Sequence, residues 1–283
     1  MDQDCKTGLK ARASTRRLLP LAVATLITVF GLGCTSVEPL TGRRQLILTS
    51  AQTEAELGMQ AWSEIKKDEK PTTNPAYAEA VERVGRTIAN VVNQPGFQWE
   101  FKTFASETAN AFCLPGGKVA VYDGLFEYLD NDAELATVIA HEVAHAVARH
   151  GGERITQAML VELGGIALSE TLNDKEELHK EQWLLAYTGI TTFGYKLPYS
   201  RTHEYSADEL GLIYMARAGY DPNAALTFWE KFAGDKKSPR TIEFLSTHPL
   251  GKNRIERLQT LMPRAEREYQ NAPQPKGLGT EWD

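Results

Sequence analysis

Two histidines and a glutamate in the stretch TVIAHEVAHAVARHGG have the types and spacing of a metal-dependent hydrolytic site. In an α-helix each residue advances by about 100°, so His145 lies one turn along from His141 and about 40° round from it. Both imidazoles then face one side, as a single Zn²⁺ ion requires. Glu142 lies about 60° from His145, the placement of a general base that takes a proton from the attacking water. The sequence therefore predicts one Zn²⁺ per chain at this helix.

The third histidine of the stretch, His150, fails the same geometric test. It is nine residues beyond His141, which places it about 180° round on the opposite face of a continuous helix. Gly151 and Gly152 are expected to end that helix. We therefore predict that His150 faces solvent at the helix C-terminus, and that the missing ligand comes from another part of the chain.

A second helix is expected to supply the third ligand. The stretch SRTHEYSADELGLIYMARAGYDP carries Glu204 and Asp208 four residues apart on one helix face. Glu204 can bind the metal while Asp208 accepts the outer N–H of a ligand imidazole and so fixes its tautomer. His203 is the competing ligand, although it points about 100° away from Glu204. The alternative interpretation is that Glu204 and Asp208 simply form part of a solvent-exposed acidic helix face and bind no metal.

The order of these motifs resembles the zinc peptidase family of the CaaX prenyl proteases, in its exported bacterial lipoprotein branch. The resemblance rests on HEVAH, on ExxxD about sixty residues later, on STHPLGKNRIERL, and on the earlier stretches PLTGRRQLILTS and NAFCLPGGKVAVYDGLF. It implies that the zinc ligands are His141, His145 and Glu204. It also implies that Glu142 is the base and that Asp208 is the carboxylate behind a ligand.

The same resemblance implies that the strand after LPGG runs along the cleft as an edge strand. Its unpaired backbone groups would hold an extended polypeptide as an added strand, and the two glycines would let the backbones approach closely. An ordinary hairpin turn is the alternative. The predicted substrate-binding residues are Gly116, Gly117, Lys118, Val119, Ala120 and Val121.

The segment STHPLGKNR offers one more histidine for catalysis. His248 can donate to the oxyanion of the reaction, which is the role we favour, or it can take the open zinc position in an empty cleft and silence the enzyme. A capping or solvent-facing role is the structural alternative. Arg254 is expected to brace this loop or the acidic helix.

The N-terminus has the pattern of an export signal. Residues 1–33 carry a basic start followed by an apolar run, as a signal peptide does. The run ends in GLGC, which resembles a bacterial lipoprotein cleavage site with the lipid on Cys34, so 34–49 is predicted to be a lipidated N-terminal segment. Thr35 after the cysteine resembles Gram-negative lipoproteins of the outer membrane. An uncleaved anchor is the alternative, and Arg16 with Arg17 leaves a twin-arginine route open.

Length and composition indicate one main domain, 50–270, followed by a flexible tail, 271–283. The family resemblance implies that this domain is a zinc metallopeptidase. The chain has 283 residues and 42% hydrophobic content, enough for a substantial core. Helical periodicity dominates, and two short strands lie at Phe97–Phe104 and at KVAVY. The predicted fold class is α+β, mainly α, a gluzincin-like metalloprotease domain with a small sheet beside the active-site helix.

The charge of the chain argues against nucleic acid as a partner, and its cysteine content argues against an intrachain disulfide. Without residues 1–33 the formal charge falls from −6 to −9, so the chain lacks the basic footprint of a nucleic-acid-binding protein. With Cys34 lipidated, Cys113 is the single thiol and no intrachain disulfide is expected. We therefore expect protein or peptide substrates, a membrane reached through a lipid anchor, and no nucleic acid.

The function predicted from these features is zinc-dependent endopeptidase activity on unfolded or misassembled proteins of the bacterial cell envelope, at the periplasmic face. The envelope assembly machinery is a candidate partner. Two alternatives belong to other classes: a chaperone-like binding protein with a latent zinc site, and a small-molecule zinc amidohydrolase. Glu142 argues against a purely structural zinc, because such a site needs no base. The predicted edge strand argues against the amidohydrolase.

Overall fold

The computed structural model describes residues 35–38, 40–160, 199–234, 243–248 and 253–282. The predicted signal peptide and Cys34 lie outside the described residues. Within the described part of the chain, no helix is long and apolar enough to cross a membrane.

Helices form most of the fold, which confirms the predicted α+β class with mainly α content. The helices are α1 (Ala51–Asp68), α2 (Pro75–Val92), α3 (Asp132–Val147), α4 (150–160), α5 (Arg201–Arg217), α6 (Asn223–Gly234), α7 (Glu243–Thr247) and α8 (Arg254–Gln270). The strands are β1 (Thr35–Val37), β2 (Arg44–Leu46), β3 (Glu100–Phe104), β4 (Ala111–Leu114) and β5 (Lys118–Tyr122). A 3₁₀ helix, Asp123–Tyr128, follows β5.

The three-stranded sheet has the order β3-β5-β4, and this order corrects the predicted substrate surface. Strand β5 pairs parallel with β3 and antiparallel with β4, so Lys118, Val119, Ala120 and Val121 lie in the central strand with backbone partners on both sides. Among the described strands of this sheet, the one beside α3 that keeps an open edge is β4.

Gly116 and Gly117 pack closely against neighbouring parts of the fold. A Cβ atom on Gly116 would meet Ala55 of α1 at 3.4 Å, and one on Gly117 would meet the Trp99 ring at 3.0 Å. Both residues have positive φ angles, 86° and 88°, which glycine adopts without strain. They form the turn between β4 and β5, so the hairpin alternative describes them correctly.

Helix α3 forms the centre of the core. Its residues Asp132 to Ala146 are all buried, as expected for a helix packed on every side. Asn131 caps its N-terminus, because the side-chain oxygen accepts the backbone N–H of Glu134 at 3.0 Å. The Glu134 carboxylate accepts the backbone N–H of Asp130 instead of that of Asn131, so the capping box is only half formed.

The end of α3 differs from the prediction. The helix stops at Val147, and Arg149 takes a left-handed conformation with φ 55°, the conformation usual just past a helix C-terminus. A new helix, α4, begins at His150 and contains Gly151 and Gly152. The two glycines therefore do not end α3, and the change of direction at Arg149 turns His150 inward.

The C-terminal segment is docked, which corrects the predicted flexible tail. Its backbone carbonyls at Thr280 and Leu278 accept the N–H groups of Asp132 and Ala133, at 2.9 and 3.0 Å. These N–H groups belong to the first turn of α3, where the helix itself offers no partners. The segment 271–282 thus completes the N-terminus of the central helix.

Candidate metal centre

Two helices that cross at very short range supply the ligating side chains. A Cβ atom on Gly211 of α5 would lie 2.9 Å from the backbone nitrogen of His141 and 3.0 Å from its Cα. Such contacts require glycine, so the backbones of α3 and α5 meet here. Glu204 and Asp208 precede Gly211 on the same helix and are brought to the face of α3 that carries His141 and His145.

Four buried side chains converge at this crossing: His141, His145, Glu204 and His248. Nε2 of His145 lies 3.1 Å from Nε2 of His141 and 3.4 Å from Oε1 of Glu204. Nε2 of His141 lies 3.5 Å from Oε2 of Glu204 and 3.3 Å from Nδ1 of His248. Nδ1 of His248 lies 3.1 Å from Oε1 of Glu204. The structure thus joins the three predicted ligands and adds His248 to them.

These separations fit a single tetrahedral zinc ion. With Zn–N and Zn–O distances of about 2.0–2.1 Å, the edges of a tetrahedron of ligand atoms are about 3.3–3.4 Å long. The five distances above span 3.1 to 3.5 Å, with Oε2 of Glu204 nearer His141 and Oε1 nearer His145 and His248, so they are close to such edge lengths for a Glu204 that binds through one oxygen. Oε2 of Glu204 is buried and accepts no hydrogen bond among the described residues, although it forms an ion pair with Arg254. The donor set of imidazoles and a carboxylate is also the set that zinc prefers.

Asp208 and Arg254 support the centre from behind. Oδ1 of Asp208 lies 3.1 Å from Nδ1 of His141, the outer nitrogen of that ring. Arg254 donates to both oxygens of Asp208, at 2.8 and 2.7 Å, and its Nη1 lies 3.1 Å from Oε2 of Glu204. The guanidinium carbon lies 3.6 Å from the ring centroid of Trp229, so Arg254 is held by charge on one side and by an aromatic face on the other.

Neighbouring groups keep two buried carboxylates of the site, Glu204 and Asp208, ionised. Burial opposes ionisation of Glu204, but His248 and the hydrogen bonds of His141 and His145 outweigh it, so the Glu204 pKa lies well below its ordinary value. Burial also opposes ionisation of Asp208, and Arg254 outweighs it, which lowers that pKa. Both carboxylates are therefore anionic at neutral pH.

Glu142 has the opposite electrostatic environment. Burial raises the pKa of its carboxyl to about 7, against the opposing effect of His248. Oε1 lies 3.3 Å from Nε2 of His248, and the backbone N–H of Cys113 in β4 donates to the carboxylate. A carboxyl that titrates near neutrality beside two ligands suits general acid–base catalysis.

His150 is placed differently from the prediction, whereas His203 points away from the ligand face as expected. His150 is 0% exposed, and its Nδ1 lies 3.0 Å from Nδ1 of His145. The expected solvent-facing position is therefore wrong. His203, the competing ligand, turns away from the cluster and pairs with Oε2 of Glu153 at 3.0 Å.

Sequence reasoning missed several residues that shape the site. Gly211 lies seven residues after Glu204, two helical turns along the same face, which is a readable signal for a close helix contact. Tyr199 covers the His145 ring at a centroid distance of 3.9 Å, and Trp229 packs edge-on to His141 at 5.8 Å. No local pattern in the sequence indicates either aromatic contact.

Comparison with known proteins decides the family. The pattern that defines peptidase family M48 matches residues 75–262, about two thirds of the chain. The chain belongs to peptidase family M48. The match includes α3, α5 and His248, so it covers the whole described site.

Curated relatives of the chain are metalloendopeptidases. Mitochondrial metalloendopeptidase OMA1 of Schizosaccharomyces pombe is 33% identical over 232 residues, which cover 81% of this chain and 66% of the relative. Human mitochondrial metalloendopeptidase OMA1 is 32% identical over 257 residues, 85% of this chain and 48% of the relative. The beta-barrel assembly-enhancing protease of Escherichia coli is 29% identical over 187 residues, 64% of this chain and 38% of the relative. The chain spans 38% to 66% of the length of these three proteins.

Family and relatives together confirm a zinc metalloendopeptidase domain and zinc as its cofactor. They support a broader family than the predicted one. The relatives carry the names of OMA1 and of an assembly-enhancing protease, and not that of a CaaX prenyl protease, so M48 membership is what the comparison supports.

Proposed function

We propose that the protein is a zinc-dependent endopeptidase that cleaves unfolded or misassembled proteins in the bacterial cell envelope. The observation that carries this proposal is the joint placement of a tetrahedral ligand set and a buried carboxyl, Glu142, at the open edge of a β-strand. A purely structural zinc site uses its fourth ligand position and needs no such carboxyl.

His141, His145 and Glu204 would hold the zinc, one ion per chain. When bound, the ion supplies polarisation of the scissile carbonyl and acidification of water. Asp208 accepts the outer N–H of His141 and so keeps its Nε2 free for the metal. Arg254 balances the charge of the two carboxylates, which keeps Glu204 anionic without a proton.

Glu142 acts as the base. Its carboxylate takes the proton of the attacking water and passes it to the leaving amine of the cleaved bond. Since its pKa is raised to about 7, the same group is a competent acceptor and a competent donor near neutral pH. The N–H of Cys113 orients the carboxylate while it is charged.

Strand β4 is the proposed docking edge for substrate, in place of β5. In its antiparallel pairing with β5, alternate residues direct their backbone groups to β5 or to the open side. The Cys113 N–H reaches Glu142, so the open side faces the base. An extended polypeptide added along β4 would present its backbone to Glu142, and backbone pairing tolerates many side chains, as quality control requires.

A chaperone-like protein with a latent zinc site is the second candidate, and the position of His248 favours it. The imidazole is 2% exposed and stands where a fourth zinc ligand belongs. Phe244, four residues earlier in α7, donates its N–H to the carbonyl of Ala109, just before β4. Helix α7 therefore lies against the start of β4, the proposed substrate edge. With His248 in the ligand cluster as well, this conformation of the protein is one in which the site is closed to substrate.

The envelope location rests on the N-terminus and on one relative. The export pattern of 1–33 and Cys34 supports a lipid anchor at the periplasmic face of the outer membrane, and β1 begins at Thr35, directly after that cysteine. The name of the Escherichia coli relative makes β-barrel assembly a candidate partner process. Cys34→Ser should release the protein from membranes on fractionation, whereas tight retention of that variant would indicate an uncleaved anchor.

Unfolded casein tests the proposed activity. The purified protein should cleave casein at internal bonds, lose this activity with a metal chelator, and regain it when zinc is added back. Casein that stays intact in all three conditions, while aggregation of an unfolded client is suppressed, would support the chaperone-like function instead.

A further inference from the structure

His150 makes a hydrogen-bond-length contact with a zinc ligand on the side away from the metal position. Its Nδ1 lies 3.0 Å from Nδ1 of His145, and the two rings are inclined by 78° at a centroid distance of 4.9 Å. His150 is fully buried. It is the first residue of α4, so the turn at Arg149 is what brings it under α3.

The direction of this hydrogen bond follows from the orientation of His145. Nε2 of that ring faces His141 and Glu204, so it must be unprotonated to bind a metal. The single proton of the neutral ring is then on Nδ1 and must be donated outward. The atom that receives it is Nδ1 of His150, whose own proton therefore sits on Nε2.

A stack on His203 holds the His150 ring in this position. The two rings lie 4.7 Å apart at an angle of 26°. The His203 ring is fixed in turn by Glu153, whose carboxylate also pairs with Arg43 at 2.8 Å. Because His203 directly precedes Glu204 in α5, the stack ties α4 to the helix that carries the third predicted ligand.

We infer that His150 is a positioning residue for the metal centre: its Nδ1 accepts the outer N–H of His145 and so fixes the tautomer and the orientation of that ligand. The inference rests on the proposed function, in which His145 binds zinc. The outer N–H groups of the two histidine ligands are then accepted by different kinds of side chain. His141 has a carboxylate, Asp208, and His145 has a neutral imidazole.

This difference has a consequence for the metal. A carboxylate behind a ligand imidazole raises its basicity, and a neutral acceptor does so less. The support by His150 therefore acts mainly through geometry, by holding the ring in place. Any side chain that puts an acceptor atom at the Nδ1 position should substitute for it.

Zinc affinity of purified variants tests the role of His150. His150→Phe keeps a ring in the stack and removes the acceptor, so we expect zinc affinity to fall by about 10–100-fold. His150→Asn places an amide oxygen close to the Nδ1 position and should restore most of this loss. Phe104→Leu is the control, since it alters a buried ring in the separate cluster of Trp62, Phe112 and Tyr122, and it should bind zinc like the unaltered protein.

The absorption bands of bound Co²⁺ provide a second readout, because they report ligand geometry directly. They should change in His150→Phe and return in His150→Asn. A folded His150→Phe variant with unchanged zinc affinity and unchanged Co²⁺ bands would overturn the inference. So would an equal loss in His150→Phe and His150→Asn.

Nitrogen NMR of the unaltered protein tests the same hydrogen bond without a substitution. In zinc-loaded protein labelled with ¹⁵N-histidine, Nδ1 of His150 should have the shift of an unprotonated acceptor and should couple to Nδ1–H of His145. A proton on Nδ1 of His150 would contradict the inference even if every variant failed to fold. If the unaltered protein bound no zinc, the proposed function itself would fail, which is a different outcome.

Discussion

Nε2 of His248 lies 3.3 Å from Oε1 of Glu142, while Nδ1 of the same ring lies 3.1 Å from Oε1 of Glu204. One imidazole thus contacts both the base and a predicted zinc ligand. The sequence predicts that His248 is either an oxyanion donor, the role favoured from the sequence, or a blocking ligand. The ring occupies the fourth corner of the cluster, a position that a substrate carbonyl or a water would need, and this geometry favours the blocking role.

His248→Ala should therefore raise basal casein turnover. Removal of a blocking ring increases the fraction of molecules competent to bind substrate, and turnover rises in proportion to that fraction, about tenfold where one molecule in ten is open. The measurement is the initial rate of casein cleavage at equal zinc occupancy. A fall of about 10²–10³ would instead identify His248 as the oxyanion donor.

Glu204→Ala should weaken zinc binding far more than His203→Ala does. Glu204 lies within the ligand cluster, and His203 is turned toward Glu153. Metal analysis of the two dialysed variants compares adjacent residues of one helix, so differences in helix stability are small. Full zinc occupancy in Glu204→Ala with loss in His203→Ala would reverse the ligand assignment.

Gly211→Ala should impair the site through the helix crossing. A methyl group at this position would lie 2.9 Å from the backbone of His141, so α3 and α5 must separate, at a cost of about 1–3 kcal/mol in unfolding free energy. Gly151→Ala is the matched control, because it is also helical and its Cβ would meet open space.

The control should be neutral or stabilising by about 0.4–1 kcal/mol, as expected for alanine in place of a helical glycine. Chemical denaturation and zinc titration of both variants give the comparison. Equal stability and equal zinc affinity in the two variants would show that the crossing tolerates separation.

Local signals made much of this fold readable from the sequence. The cap at Asn131, the cap at Ser200 and the i,i+4 facing of His141 and His145 depend on residues within one or two turns. These interactions form wherever the helix itself forms, whatever the rest of the protein packs against it. The placement of the ligand helix is correct for the same reason.

The errors arose where distant residues decide the structure. Strand β5 is central because β3, from before β4, pairs with it in parallel, and neither strand's own pattern encodes that partner. The turn at Arg149 uses a left-handed conformation without a glycine to mark it, so His150 could not be placed inside. The tail docks through backbone carbonyls, which leave no side-chain pattern.

Deletion of residues 271–283 should destabilise the protein. The segment provides the carbonyl partners for the N–H groups of Asp132 and Ala133 at the start of α3, and each such hydrogen bond contributes about 1 kcal/mol. Thermal unfolding should show a midpoint lower by roughly 2–4 °C for each kcal/mol lost. Since α3 carries the ligands, zinc affinity should fall as well. An unchanged midpoint would mean that water hydrogen-bonds to the N–H groups of Asp132 and Ala133 as well as the carbonyls of the tail do.

The most direct test of the account is proteolysis by Glu142→Gln at full zinc occupancy. The amide keeps the size of the side chain but cannot accept the proton of the attacking water, so the account predicts normal zinc content, a normal fold by circular dichroism and no casein cleavage. His248→Ala combined with Glu142→Gln should be inactive too, which excludes blocking as the cause. Casein cleavage by zinc-loaded Glu142→Gln at a rate near that of the unaltered protein would contradict the proposed mechanism.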